Sequence, residues 1–183
     1  MVVSTALLIR ERGARPTAIA DVLEHSGAPR GSAYHYFPGG RSQLLCEAVD
    51  YAADYVADAM GTADSAVAML DAATQFYRHG LLDSDYRAGC PVMAVAVEAG
   101  DPETTNTEPV QRAAAAFARW NQLIAARLIA DGVSRKKAND LAALVISALE
   151  GALVLARASR DVAPLDAVNR RLRILLKSET EGA

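Results

Sequence analysis

Apolar positions recur every three or four residues along most of the chain, the spacing of one face of a helix. Short breaks rich in Gly or Pro separate these runs. The pattern predicts a first helix over 2–12, stopped at Gly13, and a second that starts after Thr17 as its N-cap and ends near Ser26 and Gly27. A third runs from Pro29 to Tyr36 and stops at Phe37-Pro38-Gly39-Gly40. Longer helices follow over 41–60, 63–82, 109–131, 135–159 and 165–177, with frayed residues after the last. The run Val92–Val97 is ambiguous between strand and helix; Pro91 suits a first helical turn, so a short buried helix is expected near 91–99. A polar loop spans Gly100 to Pro109. No segment alternates long enough to make a strand, and about nine helices make the chain all-α.

Composition narrows the class. The chain has 183 residues, 51% apolar and 22% charged, which suits one or two domains with a real core. No apolar run reaches the ~20 residues of a membrane span, and no basic segment precedes the first apolar one, so neither a membrane partner nor a signal peptide is expected. Two cysteines, Cys46 and Cys90, are too few for a disulfide framework and point to a reduced, cytoplasmic protein. The net charge of -3 is unevenly spread. Residues 1–49 hold five Arg and four acids, a balance of +1; residues 50–133 hold five Arg and twelve acids, a balance of -7. A phosphate backbone is least repelled by the first quarter.

That quarter also carries the most specific pattern. In TAIADVLEHSGAPRGSAYHYF, residues 17–37, two short helices flank a turn at Gly27, with Ile19, Val22 and Leu23 inward on the first. Small and polar residues open the second helix, which lets backbone approach DNA closely. Residues 5–49 resemble the DNA-binding region of the TetR family of bacterial transcriptional regulators. The strongest match is GAPRGSAYHYFPGGRSQLL, residues 27–45, where Gly27, Arg30, Gly31, Tyr34, His35 and Phe37 fall in the family pattern. The Gly39-Gly40 pair and GCPVMAVAVEAG, residues 89–100, are similar to the LmrA- and YxaF-type subgroup. Leu23 and Ala33 depart from the family pattern as a large-for-small exchange that conserves core volume.

The resemblance implies an N-terminal three-helix helix-turn-helix DNA-binding domain over 1–45 and a C-terminal helical ligand-binding and dimerisation bundle over 46–183. It implies that Thr17 caps the second helix and touches phosphate. Pro29, Arg30, Ser32 and Tyr34 would face the major groove or its walls, with Arg30 reading guanine bidentately. Tyr34, His35 and Arg41 would meet phosphates, and Tyr36 and Phe37 are expected in core or hinge packing and not at DNA. The implied partners are a double-stranded, palindromic DNA operator, a small-molecule effector and a second copy of the chain.

The remaining helices exceed what a helix-turn-helix needs to fold. In LAALVISALEGALVLAR, residues 141–157, Leu141, Leu144, Val145, Ala148, Leu149, Ala152 and Leu155 make a stripe wider than one core face requires; Leu172 and Leu175 add to it from the last helix. With the family's four-helix interface in view, these residues are expected at a homodimer contact. Aromatic and Met residues concentrate in the middle of the chain, so Met60, Phe76, Met93, Phe117 and Trp120 are the expected apolar effector contacts, with Glu98 and Asn121 as polar ones. No metal-ligand spacing, phosphate loop, dinucleotide fingerprint or nucleophile elbow occurs, which leaves no basis for an enzyme or a cofactor. The whole reads as a repressor released from DNA by an apolar effector. The alternative is a small-molecule sensing module without operator binding.

Overall fold

The structure, a computed structural model, describes residues 1–100 and 107–181. Among these residues every regular element is helical: α1 Val2–Arg12, α2 Ile19–Ser26, α3 Ser32–Tyr36, α4 Gly40–Gly61, α5 Ala66–Asp83, α6 Pro91–Ala96 with a 3₁₀ turn over Val97–Gly100, α7 Glu108–Ala130, α8 Arg135–Ser159 and α9 Ala163–Glu181. The polar loop expected between Gly100 and Pro109 lies mostly outside the described residues.

Local chemistry explains where the helices begin and end. Gly13 closes α1 at φ +91°, and its amide donates to the Ile9 carbonyl. Thr17 is not the cap of α2. It is 2% exposed, and its hydroxyl donates to the Gly13 carbonyl at 2.8 Å. The N-cap is Ala18, whose amide donates to the Asp21 carboxylate at 2.8 Å, while Arg12 pairs with Asp21 at 3.0 Å. Gly27 turns the chain in the left-handed region, φ +66°, which a side chain would resist. Pro29–Gly31 then form a turn, closed by the Ser32 amide on the Pro29 carbonyl at 2.9 Å, so α3 is shorter than the expected 29–36. α5 starts later than expected because Ser65 caps it, its Oγ accepting from the Ala68 amide at 3.1 Å. α9 holds to Glu181, beyond the expected fraying, with Glu179 paired to Lys137 of α8.

The chain forms two compact units. The first joins Met1–Asp54 with Cys90–Ala116. α1 packs on α2 and on α6, and Val22, Phe37 and Leu44 form a core cluster backed by Met1, Val2, Leu8 and Ile19. Ala33 is buried and Leu23 only half-buried, so the exchanged positions face the interior unequally. α6 is distant in sequence, yet it supplies part of this first unit's core.

The second unit joins Tyr55–Gly89 with Phe117–Ala183. α9 packs on both α5 and α8, with Leu153, Leu165 and Leu176 fully buried among them. α8 passes the length and composition test for a membrane span, with mean hydropathy 1.9 over its best window, contrary to the expectation that no run would. Its apolar character serves packing: Leu141, Val145, Leu149 and Leu153 are buried within the unit.

Candidate nucleic-acid interface and effector cavity

The turn after Gly27 and helix α3 present a continuous outward run. Pro29, Arg30 and Gly31 are exposed, Ser32 is half-buried, and Tyr34 is 73% exposed. His35 is exposed and meets the Tyr36 ring edge-on, with centroids 5.0 Å apart. Tyr36 is itself 66% exposed, so of its two expected places, core or hinge, it does not take the core one. Ala33 and Phe37, one turn apart, are buried and anchor the segment by one side. The Ser32 hydroxyl donates to the Pro29 carbonyl at 2.6 Å and tightens the turn that carries Arg30.

Two expected phosphate contacts have other tasks here. Thr17 is buried, with its hydroxyl already donating to main chain. Arg41 directs its guanidinium at the chain between α1 and α2: Nε donates to the Thr17 carbonyl at 2.9 Å, and Nη2 to the carbonyls of Ala14 and, at 3.3 Å, Arg15. It ties that connection to the start of α4. Glu98 braces the same connection from the 3₁₀ turn, its Oε1 accepting from the Arg15 amide at 2.8 Å. Glycine suits position 13, since its φ of +91° strains any side chain and a Cβ would also stand a close 3.2 Å from that oxygen. Glu98, Arg15 and Arg41 line a cleft of about 300 Å³ in the first unit. Glu98 is thus a brace of the helix-turn-helix unit.

The second unit contains a cavity of about 30 Å³, room for roughly one or two waters. Of the seven expected effector contacts, Met60 and Trp120 line it. Phe117 is half-buried beside them, edge-on to Trp120 with centroids 5.4 Å apart, and Phe76 stacks between Tyr55 and Tyr77. Neither ring nor Asn121 is part of that wall. Met93 belongs to α6 in the first unit. The wall instead includes Met69, Tyr77, Ile124, Val145, Leu149 and Glu150. Glu150 is 8% exposed, and its Oε1 accepts from the Tyr77 hydroxyl at 3.1 Å. The sequence did hold a signal for it: Glu150 is the lone charged residue between Leu141 and Ala156.

The broad apolar stripe of α8 resolves into two faces. Leu141, Val145, Leu149 and Ala152 are buried within the unit, as is Leu172 of α9; they form core in one chain, which corrects their expected place at a dimer contact. Leu144, Ala148, Gly151 and Leu155 recur at spacings of four, three and four and make a separate outward stripe, with Leu155 61% exposed. Leu175 is half-buried, and Ile174 beside it is exposed. Both cysteines are buried; burial pushes the Cys46 thiol up, and Cys90 caps α6, its Sγ accepting from the Met93 amide at 3.4 Å.

Comparison with known proteins agrees with this architecture. Residues 66–171 match the family model described as transcriptional regulator LmrA/YxaF-like, C-terminal domain. An uncharacterized HTH-type transcriptional regulator of Mycobacterium tuberculosis, Rv0196, is 59% identical over 181 residues, 98% of this chain and 93% of its own. Among solved structures, the regulatory protein TetR from Rhodobacter sphaeroides superimposes with a TM-score of 0.80 at 21% identity, over 94% of this chain and 95% of that one. A cysteine mutant of the TetR family regulator CifR, complexed with 26bp double-strand operator DNA, superimposes with a TM-score of 0.71 at 22% identity, over 94% and 92%. A helix-turn-helix unit, an all-helical second unit and a family match over most of that unit all agree, and the chain belongs to the LmrA/YxaF-like TetR-family transcriptional regulators.

Proposed function

We propose that this regulator is a homodimeric, cytoplasmic repressor, released from a palindromic operator by a small apolar effector. Residues 1–45 form its DNA-binding part, and residues 46–183 bind the effector and the second copy. The exposed run from Pro29 to Tyr36 carries this reading, because an outward segment anchored by Ala33 and Phe37 can enter a major groove without disturbing the core. The operator DNA held by CifR supports it. Arg30 reads a base, Pro29, Ser32 and Tyr34 lie against the groove, and Tyr34 and His35 meet phosphates. Thr17 and Arg41 position the reader and do not touch DNA.

The outward stripe Leu144, Ala148, Gly151 and Leu155, with Leu175 and Ile174, is the dimer surface. Its small residues permit close helix approach. A dimer reads two half-sites about 34 Å apart. The effector enters the cavity beside Met60 and Trp120. That space is far below the ~300 Å³ of a small-molecule pocket, so an effector is admitted only when the wall yields, and Met60 and Met69 are unbranched and adaptable. α4 carries Arg41 at its start and Met60 near its end. Displacing the end of α4 shifts the population away from the DNA-competent state, provided the effector binds the other state better.

Fluorescence anisotropy on fragments from upstream of the protein's own and adjacent genes tests this reading, at near-physiological salt with nonspecific competitor. Saturable binding to one fragment, weakening steeply as salt rises, is the expected result. Equal, weak binding to every fragment would favour a sensing module without an operator.

A further inference from the structure

The cavity of the second unit has an apolar wall with one carboxylate in it. Glu150 sits on the apolar helix α8, and the cavity lining holds this acid and no base. An apolar effector alone gains nothing from a carboxylate there, since a carboxyl group removed from water is costly beside carbon. Tyr77 holds the group in a fixed orientation, its hydroxyl donating to Oε1 at 3.1 Å. The Tyr77 ring stands beside the carboxylate that its hydroxyl bonds, and aromatic faces attract cations. An ammonium offsets the burial of a carboxylate when the two pair directly.

We propose that this cavity takes a lipophilic amine, its protonated nitrogen against the Glu150 carboxylate and its apolar body among Met60, Met69 and Trp120. This rests on the reading of the cavity as the effector site and names the chemistry that the site selects. Tyr77 is the positioning residue: it aims the carboxylate and leaves the pairing to Glu150.

The test compares two probes of nearly the same shape, 4-phenylbutylamine and 4-phenylbutan-1-ol, titrated into the full chain at pH 7. Trp120 is the chain's single tryptophan, so its fluorescence reports occupancy directly. The amine is expected to bind at least tenfold more tightly than the alcohol. Glu150→Gln should abolish that preference, whereas Tyr77→Phe, which keeps the carboxylate, should retain most of it. Equal affinities in the wild-type protein overturn the amine assignment and leave the effector cavity standing, and the wild-type comparison decides this even if Glu150→Gln does not fold. A preference that survives in folded Glu150→Gln also overturns it. No response to either probe at millimolar concentration overturns both the amine and the effector reading of this cavity.

Discussion

Arg30 and Arg41 carry the same charge in opposite surroundings. Arg30 is exposed on the turn before α3, whereas Arg41 donates to three main-chain carbonyls between α1 and α2. Arg30→Ala should weaken operator binding by about 1–3 kcal/mol, the worth of a bidentate base contact, and leave the melting temperature unchanged. Arg41→Ala should instead destabilise the fold by about 1–2 kcal/mol, because those carbonyls lose charge-assisted donors on a partly solvated surface. Anisotropy and thermal denaturation on the same two variants separate these outcomes. A residue-scale pH effect lies at Asp85. Its carboxyl is held below the usual range by the hydrogen bond and charge of Arg160, with Oδ1 2.6 Å from the guanidinium. Asp85, Tyr86 and Arg160 all adopt positive φ, and the Arg160 guanidinium also stands over the Tyr86 ring. A carboxylate lowered in the folded state stabilises it above the unfolded pKa and loses that contribution as pH falls through the folded one. The melting temperatures of wild type and Asp85→Asn should therefore differ at pH 7, begin to approach each other as pH falls below about 4, and meet only below the lowered folded-state value. The motif around Arg30 was readable in the sequence, because small residues at a tight turn are a local requirement. The task of Arg41 was not, since its acceptors lie two helices upstream.

At the scale of the element, α8 shows what periodicity can and cannot tell. Its apolar residues cover so much of the circumference that inward and outward faces are indistinguishable in the sequence. Packing against α5 and α9 separates them into a buried face and the outward stripe from Leu144 to Leu155. Substitutions on the two faces should act on different equilibria. Leu149→Ala removes a buried side chain and should cost about 2–4 kcal/mol of folding stability. Leu155→Glu should leave the fold intact and shift the protein toward monomer in sedimentation equilibrium. A stable Leu155→Glu dimer would move the interface elsewhere. The same limit explains Thr17 and α3. A Thr before an apolar-periodic run is a sound N-cap signal, but here its hydroxyl is taken by the Gly13 carbonyl, and Asp21 supplies the cap.

At the scale of the molecule, effector and operator are expected to report on each other. An effector that binds the folded chain at a hundred times its Kd should stabilise it by about 2.7 kcal/mol, visible as a rise in melting temperature. If the effector favours the DNA-incompetent state, operator DNA must weaken effector binding by the same factor that effector weakens operator binding. Titrating each ligand in the presence of the other checks this, and unequal factors would mean that the two do not share one equilibrium. The sequence by itself determined the helical class, the helix-turn-helix motif around Gly27 and Arg30, and the family. These rest on local chemistry: apolar spacing, caps, and a turn that only glycine adopts easily. Tertiary structure alone decided that Cys90–Ala116 packs with the N-terminal unit, that Glu98 braces the Arg15 amide, and that Glu150 reaches the cavity beside Tyr77. Each joins residues far apart in sequence, and the direction of a side chain across such a distance depends on how whole helices pack, which no local pattern encodes.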